Sequence, residues 1–167
     1  MTGARQPCSV CGREHDGQGL ELAFERPHEI AELSLEARAR RCLLKSDTSV
    51  LDRQRFFVRG VLSLPVAGRT IPYNLGVWAE VDKATLQRID ELWDDPKQER
   101  EPPFDGTLAN RVPLVSNSLG LALVVRLSGP TTRPYFEITD ESHELFAEQR
   151  RGISERRAHD YTREASG

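Results

Sequence analysis

Two cysteines near the start of the chain form the motif with the clearest chemistry, Cys8-Ser9-Val10-Cys11-Gly12. Thiolates three positions apart on a tight turn can bind the same metal ion, with backbone N–H groups turned towards the sulfurs. The glycine after the second cysteine relieves the strain of such a turn. A zinc ion takes about four ligands in a tetrahedron. The pair therefore supplies half of a zinc site, in a knuckle and loop that we predict over residues 7–19.

The sequence leaves the remaining ligands of this site open. His15, four residues after the pair, is a plausible third ligand, and Cys42, His28 and His143 are chemically suitable for the fourth position. The competing interpretation is a vestigial knuckle, or two thiols without metal, because complete zinc sites usually show all four ligands in the sequence. From these candidates we take Cys8, Cys11, His15 and Cys42 as the predicted zinc ligands.

A second candidate site surrounds Arg59, which lies in a stretch otherwise rich in apolar residues. Its charge needs a partner there. One interpretation is a salt bridge to Asp47 or Glu80, or a surface position; the other is an arginine that binds an anion in a pocket. Trp78 suits packing better than a ligand platform, and His143 suits the start of a helix. The candidate anion pocket consists of Arg59, Trp78, Asn110 and His143.

The chain contains no nucleophile elbow, phosphate loop, dinucleotide fingerprint or paired-histidine zinc motif. The leading hypothesis is a non-catalytic binding or interaction module, stabilised by zinc, whose partner is an unknown protein or small molecule. The rival hypothesis is an enzyme that acts on a small polar or anionic substrate in the pocket around Arg59. Nucleic-acid binding through the arginines at 150–163 ranks last, because acidic residues are interleaved with them.

The composition fits one folded domain. Of the 167 residues, 38% are hydrophobic and 29% are charged, which is enough apolar matter for one core. The net charge of −3 shows no global basic excess of the kind that nucleic-acid binders carry. The start lacks the apolar segment of a signal peptide, and the longest apolar stretch, 119–125, is too short to span a bilayer. We therefore expect a cytoplasmic protein with no membrane partner, whose three cysteines stay thiols or metal ligands.

Apolar periodicity indicates the elements that position these residues. Residues 55–65 and 71–81 alternate with a period of two and are joined by a short glycine-containing link, which predicts a β-hairpin. A later strand at 119–127 is predicted to pair with one at 135–139 across a turn. Helical spacing and capping residues predict helices at 27–41 (in two segments, the second capped by Ser34), 82–93 (capped by Asp82) and 142–151, with Ser154 capping a further segment.

This order of elements favours an α+β fold, with an antiparallel or mixed sheet and helices packed mainly on one face. We predict a single domain over residues 1–153 that includes the N-terminal cysteine knuckle. Residues 154–167 are predicted to be a charged tail, helical or disordered.

Five phrases in this order resemble a bacterial family catalogued as domain of unknown function 2199: CSVCGREHDG, SDTSVLDRQRFFVRGVLSLPV, NLGVWAEV, EPPFDGTLANRVP and EQRRGIS. The resemblance runs from about Cys8 to Ile153. It implies a small bacterial cytoplasmic protein and brings no established activity, substrate or catalytic residue. Members of the family commonly carry a further cysteine where this chain has Ser49. If that cysteine belongs to the metal site, one ligand is missing here, because a serine oxygen is a poor substitute for a thiolate on zinc.

Overall fold

The computed structural model describes residues 5–7, 14–16 and 20–166, with side chains from residue 20 to residue 164. Within this part of the chain the strands are β1 Arg5–Pro7, β2 Glu14–Asp16, β3 Leu22–Ala23, β4 Cys42–Leu44, β5 Thr48–Leu51, β6 Arg55–Leu64, β7 Tyr73–Val81, β8 Phe104–Leu108, β9 Ala122–Arg126 and β10 Tyr135–Ile138. The helices are α1 His28–Ala31, α2 Leu35–Arg41, α3 Lys83–Leu92, α4 Glu144–Arg151 and α5 Glu155–Ser166, with a 3-10 turn at Gln98–Arg100.

Five of the strands close into a barrel. β6 and β7 form the predicted antiparallel hairpin, paired along most of their length. β7, β8, β9 and β10 follow as antiparallel neighbours, and β10 returns to β6 in parallel where Tyr135 lies opposite Val61. β3 extends the barrel wall beside the first half of β7, and β5 and β4 extend it beside the first half of β6.

The prediction of an α+β fold with an antiparallel or mixed sheet is confirmed, with a mixed sheet, but the prediction that helices pack mainly on one face of a simple sheet is wrong, because five strands close into a barrel. The hairpin strands, with ten and nine residues, are long enough to twist and curl round. Gly60 of β6 then lets β10 come close. A methyl group at this position would overlap the Phe136 ring and lie 2.8 Å from the Pro134 carbonyl oxygen.

Two hydrophobic clusters bury both faces of the central hairpin. The main cluster contains alternate residues of β6 and β7, such as Leu62 and Val77, together with residues of α3, α4 and α5. The second cluster lies on the opposite face, where Phe57 and Trp78 pack with Ile30 of α1. The period of two separates these faces correctly, but burial of both faces means that the helices cannot all lie on one side.

The predicted helices form, with ends that differ by a few residues. The side chains of Ser34 and Asp82 cap α2 and α3 as predicted, each accepting a backbone N–H three residues on. Ser154 caps α5 in the same way. This last helix is anchored, since Tyr161 is fully buried and donates a hydrogen bond to Glu148 of α4. None of the helices in the described residues has the length and apolar composition of a membrane span.

β4, β5 and β8 lie in stretches for which the sequence predicts no strand. The strand predicted at 119–127 is shorter, Ala122–Arg126, and Leu119 lies outside it with 37% of its surface exposed. β4, β5 and β8 have only three to five residues. Such short strands depend on the neighbours with which they pair more than on their own periodicity.

Candidate functional site

An open groove of about 420 Å³ lies where β4, β5 and the first half of β6 extend the sheet beyond the barrel. Its floor is apolar: Leu43 lies opposite Val50, and Val50 lies opposite Phe56, so the three side chains form a row across the strands. Val50 and Phe56 pack against the main cluster, whereas Leu43 at the outer end is 61% exposed. We call this cavity the basic groove, because of the cations around it.

Four cationic side chains surround the apolar floor. Arg40 and Arg41 end α2, Arg53 lies in the turn between β5 and β6, and Lys83 begins α3. The backbone of Arg53 is in the left-handed region, with φ of 58°, which a tight turn between adjacent strands requires. Only Arg41 is neutralised, through two hydrogen bonds to the Asp52 carboxylate at 2.9 and 2.7 Å.

The rim of the basic groove therefore has an excess of positive charge. Among residues 20–164, no carboxylate lies within 4.0 Å of the charged groups of Arg40, Arg53 or Lys83. The hydrogen bonds between Arg41 and Asp52 raise the pKa of the arginine and lower the pKa of the carboxyl group, so both stay charged at neutral pH. A ligand that combines a negative group with an apolar part matches this rim and floor.

Cys42 lines the same groove from a half-buried position at the start of β4. Burial raises the pKa of its thiol, so it is a neutral thiol at neutral pH. Of the other predicted zinc ligands, Cys8 and Cys11 lie outside the described residues, and only the backbone of His15 is described, in β2. The zinc site stays a prediction. The residues that the structure describes contain no group of three or more His, Cys, Asp or Glu that could hold a metal ion.

Arg59 contacts an aromatic ring, and the salt bridges predicted for it are absent among the described residues. Arg59 lies beside Trp78 in the hairpin register, with its guanidinium carbon 5.5 Å from the centre of the indole ring. The predicted salt bridges to Asp47 or Glu80 are not formed, because Asp47 pairs with Arg133 and Glu80 pairs with another arginine. Burial and the nearby Arg133 charge lower the pKa of Arg59.

Three arginines hold the loop that joins β4 to β5, one for each of residues 45–47. Arg26 also donates a hydrogen bond of 3.1 Å to Ser49, which is fully buried in β5. These contacts fix the hairpin that carries the outer part of the basic groove. The loop contacts are Arg26 to the Lys45 carbonyl at 2.6 Å, Arg59 to the Ser46 carbonyl at 3.4 Å and Arg133 to the Asp47 carboxylate at 3.1 Å.

The other two residues of the predicted anion pocket make structural contacts. Asn110 is 1% exposed, and its side-chain oxygen accepts a hydrogen bond of 2.7 Å from the backbone N–H of Trp78. His143 caps α4: its Nδ1 accepts a backbone N–H and its Nε2 donates to a loop carbonyl at 2.7 Å. The structure thus brings Arg59, Trp78 and Asn110 into one packed network, in which two members are buried, and holds His143 in a different set of contacts.

A second cavity, of about 480 Å³, lies at the seam between β6 and β10. Gln149 of α4 satisfies the backbone of β10 there: its side chain accepts the Ile138 N–H and donates to the Phe136 carbonyl, both at 2.8 Å. The cavity is lined by one carboxylate, Glu137, and one cation, Arg150. Glu137 pairs with Arg126 at 2.8 Å, so the described lining of the seam cavity offers one cation without a carboxylate partner, Arg150, against three at the basic groove.

Of the residues that line the basic groove, the sequence prediction names only Cys42. Two short runs that contain apolar or β-branched residues, Cys42–Leu44 and Thr48–Leu51, lie on either side of a short polar link and are the signal from which a hairpin could have been predicted. The cations carry no such signal. Arg40 at a helix end and Lys83 at a helix start are ordinary solvent-exposed positions when each is considered alone.

Comparison with known proteins gives one match. A family model described as an uncharacterized protein conserved in bacteria (DUF2199) matches residues 7–153. The matched residues include the barrel and the whole basic groove. No curated protein and no solved structure matches the chain significantly.

Proposed function

This chain belongs to the family described as uncharacterized proteins conserved in bacteria, and we propose that it is a non-catalytic binding module whose basic groove takes an anionic ligand with an apolar part. The observation that carries this proposal is the combination of an apolar floor with rim cations that lack carboxylate partners. Other arginines on the described surface either have a carboxylate partner within 3 Å, as Arg88 and Arg126 do, or lie outside the groove, as Arg100 and Arg111 do.

Two features of the groove support binding rather than catalysis. Its one nucleophilic group, the Cys42 thiol, has a raised pKa and so is protonated at neutral pH. A catalytic cysteine needs the opposite shift, because the thiolate is the nucleophile. Among residues 20–164, the groove lining also contains no histidine and no free carboxylate that could act as a general base beside the thiol.

Zinc bound at the cysteine knuckle is a separate part of the proposal. Its support is the spacing of Cys8 and Cys11, which lie within the family match. A structural zinc ion held by Cys8, Cys11 and His15 would stabilise the fold, and only a fourth ligand at Cys42 would bring it to the groove. The two parts of the proposal are tested independently.

The groove is tested with 8-anilinonaphthalene-1-sulfonate, an aromatic sulfonate whose fluorescence rises when it binds an apolar site. The test variant is Arg40→Glu/Lys83→Glu, which reverses two rim charges. The control variant is Arg100→Glu/Arg111→Glu, which changes the net charge equally at two exposed positions outside the groove. Thermal melts of all three proteins establish that each is folded, because this dye also binds partly unfolded states.

We expect the groove variant to bind the dye about tenfold more weakly than the wild type, since two favourable charge interactions become unfavourable. The control variant should bind within about twofold of the wild type. Equal weakening in both variants would show that net charge, and not the groove, governs binding, and would overturn the proposal.

A further inference from the structure

We propose that the ligand of the basic groove is an extended acidic segment of another protein, which adds to the sheet as a new strand along the free edge of β4. This inference rests on the proposed function and specifies the partner. Among the strands that the structure describes, β4 ends the sheet order and pairs with β5 alone. Edge strands with unpaired backbone groups are templates for the addition of a further chain.

The ladder between β4 and β5 shows which backbone groups are available. The N–H of Asp52 donates to the Arg41 carbonyl and the N–H of Lys45 donates to the Thr48 carbonyl. In an antiparallel ladder this pattern means that the backbone groups of Leu43 point towards β5, whereas those of its neighbours in β4 point outward.

Three outward groups are free for a partner strand. The Cys42 N–H donates to the Arg38 carbonyl at the end of α2, which leaves the Cys42 carbonyl and both backbone groups of Leu44. Within residues 20–164, none of these three groups has a hydrogen-bond partner. A residue of an added antiparallel strand that lies opposite Leu44 would therefore make two backbone hydrogen bonds.

Exposed apolar side chains mark the same region. The described residues contain six large hydrophobic side chains that are exposed, and three of them lie within residues 35–44. Leu35 is 81% exposed, Leu43 is 61% exposed and Leu44 is 36% exposed. An added strand would cover Leu43 with an apolar side chain on the groove face, in line with Val50 and Phe56.

The charge of the rim decides the kind of partner. A second copy of this chain would bring the same cations to the same edge, and like charges opposite each other destabilise a strand pair. An acidic segment would instead place carboxylates two residues from its apolar residue, on the same face and towards Arg40, Arg53 and Lys83. The occupant that the groove favours is therefore an extended chain in which acidic and apolar residues follow each other at every second position, so that both face the groove.

The test is fluorescence anisotropy with a labelled octapeptide that carries glutamate at positions 2 and 6, valine at position 4 and threonine elsewhere, so that glutamate and valine share one face of the strand. One control peptide carries lysine in place of glutamate, and a second carries proline at the central positions and so lacks the backbone N–H groups. The protein variant is Leu44→Pro, which removes an outward-pointing N–H, replaces the exposed leucine side chain and leaves the ladder to β5 intact. A thermal melt establishes that this variant is folded.

We expect the acidic peptide to bind at least tenfold more tightly than either control peptide, and Leu44→Pro to weaken its binding at least tenfold. The variant should still bind 8-anilinonaphthalene-1-sulfonate as the wild type does, because the rim and floor are unchanged. If the dye binds in the groove but the acidic peptide does not, strand addition is wrong and the proposed function stands. Self-association that Leu44→Pro abolishes would identify a second copy as the occupant and would also overturn the inference.

Discussion

Substitution of Gly60 by alanine tests whether β10 closes the barrel against β6. The added methyl carbon would lie 2.5 Å from Cε1 of Phe136 and 2.8 Å from the carbonyl oxygen of Pro134. The ring can turn or shift, but the Pro134 carbonyl cannot, since it accepts the Val61 N–H that joins β10 to β6. The clash therefore acts on the contact that turns an open sheet into a barrel.

The expected loss of stability follows from these distances. Overpacking of a close-packed core costs roughly 1–3 kcal/mol, and a clash with fixed backbone belongs at the upper end of that range. For a chain of this length, 1 kcal/mol corresponds to a change in melting temperature of about 2–4 °C. We therefore expect Gly60→Ala to lower the melting temperature by about 6–12 °C.

Chemical denaturation of Gly60→Ala is compared with that of Gly68→Ala. Gly68 has φ of 80° and open space around it, so alanine there brings only backbone strain of about 1–2 kcal/mol. The double variant Gly60→Ala/Phe136→Leu should lose less stability than the sum of its two single variants, because the smaller side chain relieves the clash. Equal stability of the two alanine variants, together with strict additivity in the cycle, would refute closure of the barrel at this seam.

Three further predictions concern the buried network, a helix cap and the knuckle. Asn110→Ala should lower the free energy of unfolding by about 1–3 kcal/mol in urea melts, because the buried backbone N–H of Trp78 loses its acceptor. A loss below about 0.5 kcal/mol would contradict this role. Asp82→Ala should lose about 1 kcal/mol at pH 7. Backbone hydrogen bonding from Thr85 lowers the pKa of Asp82, so the stability that Asp82 contributes is present above the ordinary pKa of 3.8 and is lost as the pH falls through the lower pKa of the folded state. In melts from pH 7 to pH 2, the difference in stability between the wild type and Asp82→Ala should therefore vanish only in acid. A difference that does not change with pH would contradict this. Mass spectrometry of the purified protein should find zinc in roughly equimolar amount. Chelation should lower the melting temperature of the wild type but not of Cys8→Ser/Cys11→Ser. Metal-free protein whose melting temperature does not change on chelation would exclude the zinc site.

The β4–β5 hairpin carries both the outer part of the basic groove and the loop at residues 45–47. Arg26 and Arg59 both hold this hairpin and both lie 5.5 Å from the Trp78 ring. Arg59 and Trp78 of the candidate anion pocket thus lie in the network that supports the β4–β5 hairpin. Arg59 donates to the Ser46 and Phe24 carbonyl oxygens at 3.4 and 3.3 Å and lies over an aromatic ring, but its buried Nε has no hydrogen-bond partner among the described residues.

Local periodicity was sufficient to predict the central hairpin, its two faces and the helix caps. Residues two apart on a strand share a face, so the alternation in Arg55–Leu64 and Tyr73–Val81 is visible in the sequence whatever the rest of the chain does. Caps such as Ser34 and Asp82 act within three residues and are equally local. The resemblance to the family likewise depended on short ordered phrases and was confirmed by the match over residues 7–153.

Closure of the barrel and assembly of the groove were decided only by the tertiary structure. Gly60 and Phe136 are far apart in the chain, and nothing near either residue indicates that a ring will lie over that glycine. The rim of the groove joins Arg40, Arg53 and Lys83 from separate elements, each of which is an ordinary surface position in its own segment. An excess of charge arises only when such positions are brought together, because electrostatic interactions depend on distance in space and not on separation along the chain.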